Sequence, residues 1–285
     1  MNKILVFGAS GQLGNCLKNV VEQNALEGYV FPDESEANIL DTGSLEKLFA
    51  NYNPSHCINC AAYTAVDKAE SDQDTAYAVN KTGVKNLADL CNSYDTVFIH
   101  VSTDFVFAGD GVMPLTEEDA TAPISVYGQS KLDGELVIPS VLNNYFIIRT
   151  GWLYSEYGNN FVKTILRIGK ERGEIKVIND QQGTPTYAID LAKTITDIIG
   201  SGISRYGLYH YSNEGDTTWF GFASAIHEIA GTGVKVLPIL TEDYPTPAKR
   251  PMYSVMDKTK IKQIFGLNIP QWQESLKLCI SKLKY

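Results

Sequence analysis

The sequence predicts an α/β protein: a Rossmann-type, doubly wound parallel sheet with a smaller C-terminal substrate-binding annex. Three observations carry this reading. Short β-prone apolar runs alternate with amphipathic stretches as far as about residue 150. The runs are apolar on both faces, as parallel strands covered on both sides are. A glycine-rich turn, Gly8-Ala9-Ser10-Gly11-Gln12-Leu13-Gly14, directly follows the first run.

Taken in order, Ile4-Leu5-Val6-Phe7 reads as a strand that ends at Gly8, and Leu13, Leu17, Val20 and Val21 give residues 11–21 one apolar helical face. The pattern recurs with strands at 29–31, 57–60, 96–101 and 145–149 and helices at 45–52, 75–91 and 126–137. After Thr150 it loosens, and turn-rich stretches at 158–160, 179–185 and 244–251 read as loops of the annex. Residues 1–150 are therefore expected to form a dinucleotide-binding domain and 151–285 mainly the annex, with segments near 185–201 packing back onto the sheet.

Hydrophobic residues at 44% and charged residues at 20% leave room for a large core in a chain of this length. A net charge of -9 and a pI near 5.0 argue against a nucleic-acid surface, which needs clustered Lys and Arg to replace phosphate counterions. Five cysteines, an odd number with no secretory signal, argue against a disulfide framework and for a cytoplasmic protein. Cys57 and Cys60 read as part of a buried strand, not a metal site, because no second Cys or His pair has ligand spacing. The opening apolar run is far shorter than a signal-peptide core or a membrane span, so Met1 is expected to begin the mature chain and no membrane partner is expected.

In the glycine turn, one glycine permits the tight bend, one lets backbone N–H groups approach a pyrophosphate, and one lets the helix pack close to the strand. Gly8, Gly11, Gln12, Leu13 and Gly14 are thus candidates to hold NADH or NADPH. Asp33 stands where an acidic residue would accept hydrogen bonds from a ribose hydroxyl, and it would repel a 2′-phosphate, which leans the reading towards NADH. Asp33-Glu34-Ser35-Glu36 can equally be a solvated acidic loop. Asp41 and Thr42 are placed to reach the adenine edge, and Glu117-Glu118-Asp119 reads as a solvated loop face.

Tyr127 and Lys131 lie four apart on a helix and share one face. A tyrosine titrates near 10, and a neighbouring cation stabilises its phenolate, so the pair can donate a proton to the alkoxide formed as hydride arrives. An isolated Y-x-x-x-K is commonly a surface pair, but Ser102-Thr103-Asp104 follows an apolar strand at its carboxyl end, where ligands bind in open parallel sheets. Thr103 can donate to the developing oxyanion and Asp104 can orient a substrate hydroxyl. Trp152 follows the last clear strand, where an indole face suits the apolar side of a deoxysugar. Arg250, the arginine of the proline-rich 244–251 loop, offers a fork of donors to a diphosphate.

At these residues the chain resembles the extended short-chain dehydrogenase/reductases and, within them, the dTDP-4-dehydrorhamnose reductases. The matches are Asn59-Cys-Ala61-Ala62-Tyr63-Thr-Ala-Val-Asp67-Lys-Ala-Glu70, Ser102-Thr-Asp-Phe-Val-Phe107, 123–131, Arg149-Thr-Gly-Trp152-Leu-Tyr154, Gly158-Asn-Asn-Phe161, 179–185 and 244–251. The resemblance implies reduction of the 4-keto group of dTDP-4-dehydro-L-rhamnose to dTDP-L-rhamnose, a donor for surface polysaccharides. It implies Thr103, Tyr127 and Lys131 as the catalytic trio, and Gly11, Gln12, Leu13, Asp33, Ala62, Tyr63 and Thr64 as the cofactor lining. Thr103, Asp104 and Trp152 would touch the sugar.

Some members of that family are metal-bridged dimers that use glutamates, whereas Asn15 and Ile189 stand at two of the matching positions, so no metal is expected and the protein is a monomer or a homodimer. Two other readings stay open: a nucleotide-sugar reductase, epimerase or dehydratase of the same superfamily, and a non-catalytic regulatory subunit that keeps the dinucleotide site. Phe105, where a dehydratase would carry an acidic residue, weighs against the dehydratase.

Overall fold

The computed structural model describes residues 2–33 and 35–283, so Met1 and Glu34 lie outside the described residues. From the N-terminus, β1 (Ile4–Phe7) leads to α1 (Gln12–Gln23), β2 (Tyr29–Val30) to α2 (Thr42–Tyr52), and β3 (His56–Asn59) to α3 (Val66–Ala69) and α4 (Gln73–Tyr77). A π-helical turn, Ala78–Gly83, joins α4 to α5 (Val84–Ser93). Then come β4 (Val97–Thr103), α6 (Val126–Val141) and β5 (Tyr145–Thr150).

The second half is built of shorter pieces: β6 (Leu153–Tyr154), α7 (Phe161–Arg172), β7 (Glu174–Ile178), β8 (Gln182–Gly183), β9 (Thr186–Tyr187) and α8 (Ala188–Ser201). β10 (Gly207–His210), β11 (Thr217–Thr218), α9 (Trp219–Ala230), β12 (Lys235–Ile239), α10 (Thr259–Phe265) and α11 (Trp272–Lys282) complete it.

Six strands form one parallel sheet in the order β10-β5-β4-β3-β1-β2. Alternate side chains of each strand enter two different cores. Ile4, Val6, Ile58, Ile99, Phe146 and Ile148 meet α1, α7, α8, α9 and α11, while Leu5, Phe7, Cys57, Phe98 and Ile147 meet α2, α5 and α6. Both faces are therefore covered, which explains why the strands read as unbroken apolar runs. The chain leaves β1 towards β2 on one side and β3 on the other, and the carboxyl ends of β1 and β3 flank the crevice where such sheets bind ligands.

β10 pairs with β5, and α8 packs beside α1, so residues 188–210 lie within the sheet layers. Three two-stranded ribbons, β7 with β12, β8 with β11 and β6 with β9, make the smaller C-terminal part together with α7, α9 and α11. No helix among the described residues is long and apolar enough to cross a membrane.

Candidate active site

The glycine turn is shaped by what its residues lack. Gly8 has φ +74°, and a Cβ on it would lie 2.5 Å from the Ala61 nitrogen, so the loops after β1 and β3 touch through it. A Cβ on Gly14 would lie 2.3 Å from the Gly8 carbonyl oxygen, which is the close helix–strand approach expected of the third glycine. Gly11 is exposed and forms the N-cap of α1, which carries no side-chain cap. The uncapped first-turn N–H groups fit a pyrophosphate. Asn15 Nδ2 donates to the Ser10 and Gly11 carbonyls, both at 2.8 Å, and pins the turn from inside the helix. Leu13 is buried in the core and contributes its backbone to the turn. Gln12 Nε2 donates to the Leu153 carbonyl at 3.2 Å while its Oε1 accepts from Asn160 Nδ2 at 2.9 Å, tying the turn to the second half of the chain.

On the other wall of the crevice, Ala62, Tyr63 and Thr64 follow β3. Asn80, in the π-helical turn, accepts from the Tyr63 N–H at 2.9 Å and returns a bond to the Tyr63 carbonyl at 3.1 Å. The Tyr63 phenol donates to Asp72 at 3.0 Å. Asp33 is exposed after β2. Asp41 caps α2, accepting from the Ser44 N–H at 3.2 Å and the Ser44 hydroxyl at 2.7 Å, and Thr42 opens the same helix. Asp41 thus has a helix-capping duty that the adenine-edge reading did not foresee.

Thr103 is the last residue of β4, and the short turn after it presents Asp104 beside it. Thr103 Oγ1 donates to Asp104 Oδ1 at 3.1 Å and accepts from the Phe105 N–H at 3.2 Å. Tyr127 and Lys131 stand on α6, whose N-terminus is capped by Ser125 and by Glu70, the latter accepting from the Val126 N–H at 2.9 Å. All four side chains are buried. Burial pushes Tyr127 up to about 12, against hydrogen bonding from Thr103 that lowers it. Burial likewise lowers Lys131 to about 8 and raises Asp104 to about 6, the last despite bonds from Ser254 and Thr103.

Lys131 Nζ donates to the Val101 carbonyl at 2.8 Å and lies 3.4 Å from His100 Nε2, so its ammonium is held by β4 and does not lower Tyr127 in this state. Desolvation outweighs the Thr103 hydrogen bond, and the phenol stays protonated.

Gly151 lets the chain after β5 approach the carboxyl end of β4, because a Cβ there would sit 2.7 Å from the Asp104 carboxyl. Trp152 follows with φ +48°, a strained conformation for a large side chain, and its indole stacks on Trp219 with centroids 3.5 Å apart. One indole face is therefore already covered. Arg250 Nη1 and Nη2 meet Asp67 Oδ1 and Oδ2 at 3.1 and 2.7 Å, and Nη1 also reaches Thr246 and the Ala248 carbonyl. Its fork, expected to suit a diphosphate, clasps the 244–251 loop to α3 in this structure.

The family model described as "RmlD substrate binding domain" matches residues 1–285. A dTDP-4-dehydrorhamnose reductase of Aggregatibacter actinomycetemcomitans is 40% identical over 289 residues, covering 97% of this chain and 98% of that protein. The chain belongs to the dTDP-4-dehydrorhamnose reductase family. The crystal structure of a family member from Clostridium acetobutylicum superposes with a TM-score of 0.93 at 40% identity, covering 98% of each chain. That of the Bacillus anthracis reductase in complex with NADP gives 0.94 at 39% identity, covering 99% of this chain and 100% of the other.

Several residues at this reductase-family site escaped the reading of single motifs. Asn59, His100, Asn80, Ser130 and Ser254 have buried polar groups whose partners include residues far away in sequence. Asn59 and Glu70 lay within a quoted motif, but nothing local told their task. Glu117 is not a solvated residue: its Oε1 accepts from the His210 N–H of β10 at 2.9 Å. Cys57 is buried in β3 and Cys60 half-buried just beyond it, and among the described residues no cluster of His, Cys, Asp and Glu could hold a metal ion.

Proposed function

We propose that the chain reduces the 4-keto group of dTDP-4-dehydro-L-rhamnose to give dTDP-L-rhamnose, with Tyr127 as proton donor. Family membership supports the substrate, and the chemistry rests on one observation above all: a buried Thr103, Tyr127 and Lys131 set at the carboxyl end of β4, beside a glycine turn fitted to a dinucleotide. NADH or NADPH, when bound, supplies the hydride. Gly8, Gly11, Gln12, Leu13 and Gly14 would hold its pyrophosphate through backbone N–H groups, with Asp33 near the adenosine ribose and Ala62, Tyr63 and Thr64 on the opposite wall.

Reduction needs an acid, and the buried Tyr127 is in the right form, since it holds its proton up to about 12. Its O–H bond breaks as the proton passes to the carbonyl oxygen. Thr103 donates a hydrogen bond to the oxygen as charge gathers on it, and Lys131, an ammonium below about 8, steadies the phenolate left behind. Asp104 accepts from a sugar hydroxyl, Trp152 borders the sugar, and Arg250 holds the 244–251 loop against α3.

Loss of NADH or NADPH absorbance with freshly generated dTDP-4-dehydro-L-rhamnose tests the reading. Turnover is expected, and the ratio of the two cofactors measures how strongly Asp33 discriminates. Absence of turnover with either, in protein that still binds cofactor, would favour the regulatory subunit.

A further inference from the structure

We propose that Asn59 and His100 are positioning residues behind the catalytic lysine, presenting a hydrogen-bond donor to Lys131 Nζ and so favouring its neutral amine over its ammonium form. Asn59 ends β3 and is the register partner of His100 on β4, so both side chains leave the sheet on the same face. The Ala61 N–H donates to Asn59 Oδ1 at 3.0 Å, and a backbone N–H can only donate, which fixes the amide orientation. Asn59 Nδ2 is then turned to His100 Nδ1, 3.2 Å away. An NH2 group only donates, so Nδ1 accepts and the neutral ring carries its proton on Nε2.

That Nε2–H faces Lys131 Nζ at 3.4 Å, with all three side chains buried. An ammonium has no lone pair, and two donors meet without a bond; a neutral amine can accept from His100 while still donating to the Val101 carbonyl at 2.8 Å. The ring does not escape by becoming imidazolium, because burial and the neighbouring Lys131 hold it well below the usual histidine range. The other titratable groups around Nζ act in the opposite sense or weakly. Glu135, one turn further along α6, favours the ammonium, but Arg149 of β5 engages both of its oxygens at 2.6 to 3.1 Å. Cys60, beyond β3, is a thiol held protonated by burial, and Tyr127 on the preceding turn is a neutral phenol. The Asn59–His100 pair is thus the element that presents a proton directly to the lysine, and it acts together with burial to bring down the alkaline limit of the reaction.

The kinetic consequence rests on the proposed role of Lys131, so the first test does not use activity. In ¹⁵N-histidine-labelled protein, the His100 ring, identified by its loss in His100→Gln, is expected as the Nε2–H tautomer from about pH 6 to 9. An Nδ1–H ring or an imidazolium would overturn the proposal whatever the enzyme's reaction. In the second test, the alkaline limb of kcat/KM should move up by about one pH unit in His100→Leu, which removes the donor. His100→Gln, which keeps an N–H donor, should hold the limb nearer the wild-type position. A limb that stays in place in His100→Leu while kcat falls would mean a packing role only, and would also overturn it.

Discussion

Two loops border the carboxyl end of the sheet, and they are held by opposite means. The turn after β1 is defined by backbone against backbone: Gly8 lies on Ala61, Gly14 lies on the Gly8 carbonyl, and no side chain could be added at either point without displacing main chain. The 244–251 loop is held by side-chain charge, the Arg250 fork on Asp67, in a pair whose Asp67 side chain is 43% exposed. The first arrangement is indifferent to salt and pH and has no slack. The second is screened by solvent and can release. A turn with fixed N–H positions and a loop that can release have different mechanical properties, and the chain builds each with a different kind of contact.

The comparison sharpens when the exposed clasp is set against a buried one. Arg149 and Glu135 form a bidentate pair with both side chains about 5% exposed or less, bolting β5 to α6. Glu135→Ala leaves a buried guanidinium without its partner and is expected to cost about 3–5 kcal/mol in urea unfolding. Next in size, Gly14→Val forces a side chain into main-chain atoms and should cost about 1–3 kcal/mol together with most cofactor affinity, the latter read by fluorescence titration. An unchanged affinity would break the claim that the turn has no slack.

Arg250→Ala and Asp67→Ala are each expected to raise substrate KM about tenfold, about 1.4 kcal/mol, with kcat little changed. The double variant should be no worse than either single one, because both remove the same clasp. If Arg250→Ala alone gives a much larger KM, the arginine touches the substrate itself.

The smallest expected effect is in the pH profile. Asp104 is raised to about 6, so it becomes an accepting carboxylate only above that value, and kcat/KM should climb as pH rises through about 6. Lys131 is lowered to about 8, so its ammonium is lost as pH rises further, and kcat/KM should fall again through about 8. Asp104→Asn should abolish the acid limb and leave the alkaline one.

Sequence reading reached the parts of this site whose causes are local. The first five strands and most of the helices between them follow from apolar periodicity, and the sequence placed Thr103 just past an apolar strand and Tyr127 and Lys131 on one helix, where β4 and α6 hold them. β4 runs two residues further than the apolar run suggested, because Ser102 and Thr103 continue its ladder with Arg149 and Thr150. The helix expected over 75–91 contains the π-helical turn that aims Asn80 at Tyr63, a departure that leaves no mark on hydrophobic spacing. β10 is an edge strand with a weak pattern, and it is completed by Glu117, 93 residues before its partner His210. Asp67 and Arg250 lie 183 residues apart, and neither motif names the other. Pairings of that kind follow from the finished topology and not from any window of sequence.

The most direct test of the central claim is a single-turnover experiment on Tyr127→Phe saturated with reduced cofactor and dTDP-4-dehydro-L-rhamnose. With Tyr127 as proton donor, the variant should bind cofactor as the wild type does and reduce the sugar at least about 10²-fold more slowly. A variant that keeps the wild-type rate would contradict the account and move the proton donor elsewhere in the site.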